Sequence, residues 1–174
     1  TVAGMWEIHK KFGSMPWDEL LEPAIVLARD GFAMSPFMTD ALNGRYKKLS
    51  KFKNFKSIFY AKYPVEMHAK LTQPNLAKTL KAISSKGAAG FYEGEVADLI
   101  AGYMKRNNGL ITKADLKNYK PVWREPVRGN YREYEIVTMP PPSSGGIHII
   151  QMLNILEHYN LPEMGHNSPT YVAL

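Results

Sequence analysis

A run of three prolines, two serines and two glycines constrains the fold of this 174-residue chain more than any other stretch. Consecutive prolines fix φ and supply no backbone donor, so neither a regular helix nor a central strand passes through them. β-branched and aromatic residues precede the run, and helical spacing of apolar residues begins at Ile147. We therefore predict a stiff corner between a strand and a helix. It follows Met139 and consists of Pro140, Pro141, Pro142, Ser143, Ser144, Gly145 and Gly146.

This corner has two possible roles. Ser143 or Ser144 is expected to cap the following helix. Gly145 and Gly146 either let two backbone segments approach closely or leave amides free for an oxyanion or carboxylate. No Lys or Arg follows the glycines as a nucleotide loop requires, which favours the structural role.

Most of the remaining chain has helical character. Prolines at Pro23, Pro36 and Pro74 stand where a helix tolerates a missing N–H, at its first position. Further helices are predicted at 2–12, at about 93–105 and at 147–159. The residues between 121 and 138 are β-branched and aromatic, with interruptions at Pro126 and Gly129-Asn130 that predict two strands joined by a turn.

The fold class predicted is therefore α+β and mostly helical. Residues 1–120 form the helical part, and residues 121–174 hold the strand pair, the corner and a helix. We treat 1–174 as a single segment, and we expect both ends to be truncated, since the chain ends on the uncapped apolar run Tyr171–Leu174.

The composition excludes several kinds of site. The chain has no Cys, which removes disulfides, thiolate zinc sites and a cysteine nucleophile. Its five His form no metal-binding pattern, so no metal is predicted, and no Gly-x-Ser-x-Gly elbow is present. No apolar run approaches the ~18 residues of a membrane span. Thr1 is a candidate N-terminal nucleophile, because such a threonine uses its own α-amine as base.

Lysines alternate with aromatic residues over residues 47–62. Single-strand nucleic-acid binders use this pattern. The alternative is a basic, exposed connection whose aromatic side chains pack inward. No nucleic-acid-binding fold accompanies the stretch, so we expect no nucleic-acid partner.

Four stretches resemble the γ-glutamyltranspeptidase (glutathione hydrolase) family, in the family's order and over nearly the whole chain. They are Thr1-Val2-Ala3-Gly4; Glu22-Pro23-Ala24 with Leu27–Phe32; Phe91–Gly94 with Gly109–Thr112 and Asp115-Leu116; and Met139–Gly146 with Gln151–Glu157. The last is the most specific.

The resemblance implies a four-layer αββα N-terminal-nucleophile hydrolase sandwich and a precursor that cleaves itself into two subunits. It implies cleavage of γ-glutamyl amides such as glutathione through a threonine acyl-enzyme, without a cofactor, in the periplasm or outside the cell. The family's catalytic threonine opens the small subunit in a Thr-Thr-His-type context. Thr1 is followed by Val-Ala-Gly and matches an interior position of the large subunit.

No catalytic or substrate-binding residue of the family therefore maps onto this chain, which the resemblance makes a part of the large subunit. Its implied partners are the small subunit and γ-glutamyl compounds bound by residues outside the chain. The alternative is a stand-alone, non-catalytic binding or scaffold domain.

Overall fold

The computed structural model describes residues 1–174, which divide into two compact units, Thr1–Pro121 and Val122–Leu174. The first unit is helical apart from one two-stranded pair. Its elements are α1 Val2–Phe12, α2 Trp17–Asp30, β1 Phe32–Ala33, α3 Pro36–Gly44, α4 Tyr46–Leu49, α5 Lys53–Phe59, β2 Lys70–Leu71, α6 Pro74–Lys86, α7 Ala89–Tyr92, α8 Gly94–Arg106 and α9 Lys113–Asn118.

Helices α2 and α6 form the main packing contact of the first unit. Ile25, 1 % exposed, is buried on α2, and Ile83 is buried on α6. The indole Nε1 of Trp17 donates to the carbonyl of Ile83 at 3.0 Å. The hydrogen bond places the polar edge of a large ring on a backbone acceptor, so the ring packs without leaving its donor unpaired.

The helix ends follow local rules. The Ser35 hydroxyl accepts from Met38 N at 3.2 Å at the start of α3. Thr112 and Asp115 form a reciprocal capping box at the start of α9. Gly87 ends α6 with φ +57°, a conformation that a side chain would strain.

A second apolar cluster lies under residues 34–71. Strands β1 and β2 pair antiparallel, with Phe32 opposite Leu71. The buried members of the cluster are Met34, Leu42, Tyr60, Val65 and Leu71. This strand pair was absent from the sequence prediction, because two residues per strand show no alternation.

The second unit contains β3 Val127–Tyr131, β4 Tyr134–Thr138, α10 Gly145–Leu156, α11 Leu161–Met164 and α12 Pro169–Ala173. Strands β3 and β4 pair antiparallel, with Val127 opposite Thr138 and Tyr131 opposite Tyr134. The predicted hairpin is present, but Gly129 and Asn130 lie inside β3, and the turn lies at residues 132–133.

The predicted start of α2 is wrong. We expected Pro23 at the first position, whereas the helix begins at Trp17 and contains Pro23 within it. Asp18 and Glu19 lie in the first turn, where carboxylates oppose the positive end of the helix dipole. Pro23 supplies no N–H to the carbonyl four residues earlier, and the packing of α2 on α6 outweighs that loss.

Helical spacing of apolar residues predicts an inner face with Leu76, Ala77 and Ile83 on α6 and with Leu99 on α8. Ala77 and Ile83 are buried as this spacing predicts, but Leu76 is 42 % exposed and Leu99 is 63 % exposed. On α8 the completely buried residue is Ala97, which the apolar spacing did not predict.

No helix of the chain combines the length and apolarity that crossing a membrane requires.

Candidate functional site

The proline–serine–glycine run links the end of β4 to the start of α10. Strand β4 ends at Thr138 and α10 begins at Gly145. The Pro141–Pro142 peptide bond is cis. Ser143 N donates to the carbonyl of Pro140 at 3.2 Å, which closes a turn inside the run. The run is thus a corner between strand and helix.

The two glycines of the corner do different things. Gly146 is buried, and a Cβ there would lie 2.3 Å from the carbonyl oxygen of Met139 and 2.8 Å from Cγ2 of Thr138. Gly145 is exposed, and a Cβ there would lie 3.6 Å from Ser143 Oγ, an ordinary contact. Close approach of helix and strand therefore requires glycine at position 146 alone.

Neither serine caps α10 through its side chain. Ser144 occupies the N-cap position with φ −78° and ψ −19°, and its hydroxyl makes no capping hydrogen bond. The carbonyl of Ser144 accepts from His148 N at 3.0 Å and so begins the helical ladder. The expected serine cap is wrong because N-capping needs an extended backbone at that residue, and the turn holds Ser144 in the helical region.

Helix α10 packs on strand β3 beside the corner. A Cβ on Gly129 would lie 2.8 Å from Cγ2 of Ile150, which explains why a glycine occupies this position within the strand. Beyond the end of α10, a carboxylate oxygen of Glu157 accepts from the backbone N of Arg132 at 2.7 Å in the hairpin turn. These contacts fix the helix against the hairpin, and the sequence analysis had assigned no role to Glu157.

The candidate nucleophile Thr1 and the histidine His9 both belong to helix α1 of the first unit. Thr1 is the N-cap of α1, where its carbonyl accepts from Met5 N at 3.0 Å and its side chain makes no capping bond. His9 Nε2 lies 2.8 Å from the carbonyl oxygen of Met15, and its ring packs against Trp17. The His, Asp and Glu side chains form no group of three that could hold a metal ion.

A cleft of about 660 Å³ lies in the first unit between α6 and the start of α8. Lys78, Lys86 and Glu93 line it together with Thr79. The Thr79 hydroxyl donates to the carbonyl of Asn75 at 3.2 Å, one helical turn back. This hydroxyl is paired with backbone, and no histidine lines the cleft, so the arrangement lacks a nucleophile paired with a histidine base.

The lysine-rich stretch folds into α4 and α5, with Phe55, Phe59 and Tyr60 directed into the second cluster and Phe52 exposed. Tyr60 is 4 % exposed, and its hydroxyl donates to the carbonyl of Leu42 at 2.7 Å. Burial raises the pKa of the Tyr60 phenol. Phe55 and Phe59 pack against the same cluster. The exposed basic connection with inward aromatic side chains is therefore present for three of the four aromatic residues, and Phe52 is the exception.

The carboxylates with lowered pKa values lie in exposed local pairs. The pKa of Asp30 is lowered by its hydrogen bond to Arg29, and that of Asp115 is lowered by the hydroxyl and backbone N–H of Thr112. The pKa of Glu66 is lowered by Lys62. These shifts arise from caps and surface ion pairs, not from a cleft of converging acid and base.

The chain resembles known proteins over its whole length. Residues 1–174 match the family model described as gamma-glutamyltranspeptidase. A glutathione hydrolase proenzyme of Escherichia coli (strain K12) is 45 % identical over 170 residues, covering 97 % of this chain and 29 % of the relative. An acylase ACY 1 proenzyme of Pseudomonas sp. (strain V22) is 39 % identical over 175 residues, covering 100 % of the chain and 31 % of the relative.

Among solved structures, the γ-glutamyltranspeptidase of Helicobacter pylori superposes with a TM-score of 0.93 at 42 % identity. The match covers 98 % of this chain and 50 % of that one. The chain thus spans about 30 % of the length of the curated relatives and half of the solved chain. The mostly helical fold with few strands is the one found in this part of the solved structure. On these matches, the chain belongs to the γ-glutamyltranspeptidase family.

Proposed function

We propose that this chain is part of a γ-glutamyltransferase/glutathione hydrolase made as a precursor. The observation that carries the proposal is the superposition on the Helicobacter pylori enzyme over 98 % of the chain. We prefer γ-glutamyl amides to the substrates of acylases, because the glutathione hydrolase of Escherichia coli is 45 % identical and the acylase 39 %.

In the proposed reaction, a threonine hydroxyl attacks the carbonyl carbon of the γ-glutamyl amide. A C–O bond forms, the C–N bond breaks, and the hydroxyl proton passes through the threonine's own α-amine to the departing amine. Hydrogen-bond donors in an oxyanion hole stabilise the tetrahedral intermediate. Water, an amino acid or a peptide then attacks the resulting ester and releases the threonine. This sequence needs no cofactor.

This chain supplies framework to that enzyme, and the reacting groups come from outside it. Thr1 is followed by Val-Ala-Gly, and its carbonyl accepts the first backbone hydrogen bond of α1, from Met5 N. The corner from Pro140 to Gly146 holds a helix on a strand, which is a structural role. Residues 1–174 are proposed as a single segment of the large subunit, within which the two compact units lie.

Uncovered apolar side chains in the second unit support membership of a larger layered fold. Helix α10 is apolar around most of its circumference, and such helices are normally buried on several sides. The exposed apolar residues of α10 and β4 are Tyr134, Val137, Ile147, Ile149, Met152 and Ile155. We propose that they face further layers of an αββα sandwich completed by the small subunit of the same precursor.

Two further points of this proposal rest on the relatives. Both relatives are proenzymes, which supports a precursor that is cleaved into two subunits. Export to the periplasm or to the cell exterior follows the family resemblance.

A γ-glutamyl-anilide assay tests the assignment. The precursor that contains this chain should release the anilide, and Thr1→Ala in that precursor should leave the rate unchanged. The purified 174-residue chain alone should release none. Release by the isolated chain that Thr1→Ala abolishes would make Thr1 the nucleophile and overturn the framework role. A precursor inactive on γ-glutamyl anilide and active on an acylase substrate would overturn the substrate class.

A further inference from the structure

The positive charge of this chain is concentrated in one short stretch. Residues 45–66, which we call the basic segment, hold seven of the 22 Lys and Arg and one of the 16 Asp and Glu. The rest of the chain holds fifteen of each sign, so the basic segment carries the whole net charge of +6. Charge distributed in this way produces a local positive potential, which a general surplus does not.

The cations of the basic segment are exposed and largely unpaired. They are Arg45, Lys47, Lys48, Lys51, Lys53, Lys56 and Lys62. Lys62 pairs with Glu66, and the other six make no ion pair. Six like charges kept close together without a counter-charge raise the free energy of the folded chain, and an anionic partner relieves that repulsion.

The basic segment packs on the second apolar cluster, which holds these cations in position. Asn43 bridges the segment through two hydrogen bonds to Val65, donating to its carbonyl at 3.0 Å and accepting from its N–H at 2.9 Å. Tyr60 is anchored to Leu42, and Phe59 packs on the same cluster. Four of the lysines thus lie on the short helices α4 and α5 over a packed cluster, and Lys51 and Lys62 lie in the turns beside these helices.

The aromatic rings of the segment are not arranged as a platform for nucleic-acid bases. The Tyr46 and Tyr63 rings stack on each other with centroids 3.6 Å apart, and Phe55 packs against Phe59 with centroids 4.5 Å apart. Base stacking by single-strand binders needs several free ring faces, whereas these four rings pack on one another and leave Phe52 as the single exposed ring without such a partner.

Exposed apolar side chains lie among the cations instead. Phe52 is 60 % exposed between Lys51 and Lys53, and Ile58 is 44 % exposed. Lysines beside exposed apolar groups are the combination that peripheral proteins use at a bilayer surface. The ammonium groups meet anionic headgroups while the apolar groups enter the acyl boundary.

We propose that the basic segment binds the anionic surface of a lipid bilayer, with its lysines at the headgroup phosphates and Phe52 at the acyl boundary. The contact is peripheral and reversible, and it would hold the enzyme against a membrane without a spanning helix. The proposal stands on the charge, exposure and packing of residues 45–66 and is independent of the proposed reaction.

Vesicle co-sedimentation of the full precursor tests the proposal. The vesicles are phosphatidylcholine alone, or phosphatidylcholine with about 30 % phosphatidylglycerol. The wild type should partition onto the anionic vesicles only, and about 0.5 M salt should release it, since that concentration screens exposed charges. The variant Lys47→Gln/Lys51→Gln/Lys53→Gln should partition about 100-fold more weakly, at about fivefold per lysine.

The control variant, Lys78→Gln/Lys81→Gln/Lys105→Gln, removes three exposed lysines outside the segment and lowers the net charge equally. It should partition nearly as the wild type does, and Phe52→Ser should weaken partition without changing its salt dependence. The γ-glutamyl-anilide rate in solution serves as a folding check and should not change.

Three results would overturn the proposal: no partition of the wild type onto anionic vesicles, equal losses in the two triple variants, or tighter binding to a single-stranded oligonucleotide than to vesicles at equal phosphate. The last would assign the segment to nucleic acid. A Phe52→Ser variant that partitions like the wild type would refute the insertion of Phe52.

Discussion

The glycine at position 146 offers the sharpest test of how the corner is built. In Gly146→Ala, the new Cβ would lie 2.3 Å from the carbonyl oxygen of Met139, about 1 Å inside van der Waals contact. The obstructing atom belongs to the backbone, so relief requires α10 to move away from β4. Overpacking typically costs about 1–3 kcal/mol, and a backbone obstruction lies at the upper end, about 3 kcal/mol.

Hydrogen exchange of the α10 amides measures this cost locally, without requiring two-state unfolding of a large precursor. A loss of about 3 kcal/mol accelerates exchange through local opening about 100-fold. The matched control is Gly145→Ala, whose Cβ has an ordinary neighbour at 3.6 Å. It should exchange as slowly as the wild type or more slowly, because alanine is the better helix former. Equal exchange in the two variants would refute the reasoning.

Three further predictions concern the first unit. Thr112 lowers the pKa of Asp115, so the stabilisation of α9 by the capping box is complete above the usual pKa of an aspartate and is lost as pH falls through the lowered pKa. Hydrogen exchange of the α9 amides, corrected for its intrinsic pH dependence, should show this loss, and Asp115→Asn should abolish the pH dependence. Asn43→Ala leaves the N–H and carbonyl of Val65 without their partner and should cost about 2 kcal/mol in a urea titration of the chain; an unchanged midpoint would contradict the role of the bridge. Ala97 has 0 % exposure, so Ala97→Leu should lower the free energy of unfolding by about 1–3 kcal/mol in the same titration. An unchanged free energy of unfolding would mean that α8 has room to shift.

Many helix ends could be read from the sequence because they depend on nearest neighbours. Ser35 caps α3, and Thr112 and Asp115 close a capping box, with the residue types that helix starts prefer. Each of these caps spans three residues, so the local sequence contains all the participating groups.

Predictions failed where a distant segment outweighed a local preference. Pro23 predicts a helix start, yet α2 runs through it because α6 covers the helix. Gly129 predicts a turn, yet it lies within β3 because Ile150 packs onto it from α10. Leu99 predicts an inner face, yet Ala97 occupies the tightest contact.

For the candidate site, the sequence located the strand-to-helix corner but could not distinguish its two glycines. The difference between Gly145 and Gly146 depends on where the carbonyl of Met139 lies, which is a tertiary fact. The position of the cations in the basic segment was visible in the sequence, whereas the inward packing of its aromatic rings was decided by Tyr60 and its neighbours.

The sequence by itself determined the family, the strand-to-helix corner, the caps of α3 and α9 and the clustering of charge, because each follows from residue types at short spacing. The tertiary structure alone decided which side chains are buried, which glycine is indispensable and which way the aromatic rings face. Those properties depend on close packing between segments far apart in the chain, and the short-range periodicity of the sequence does not predict such contacts.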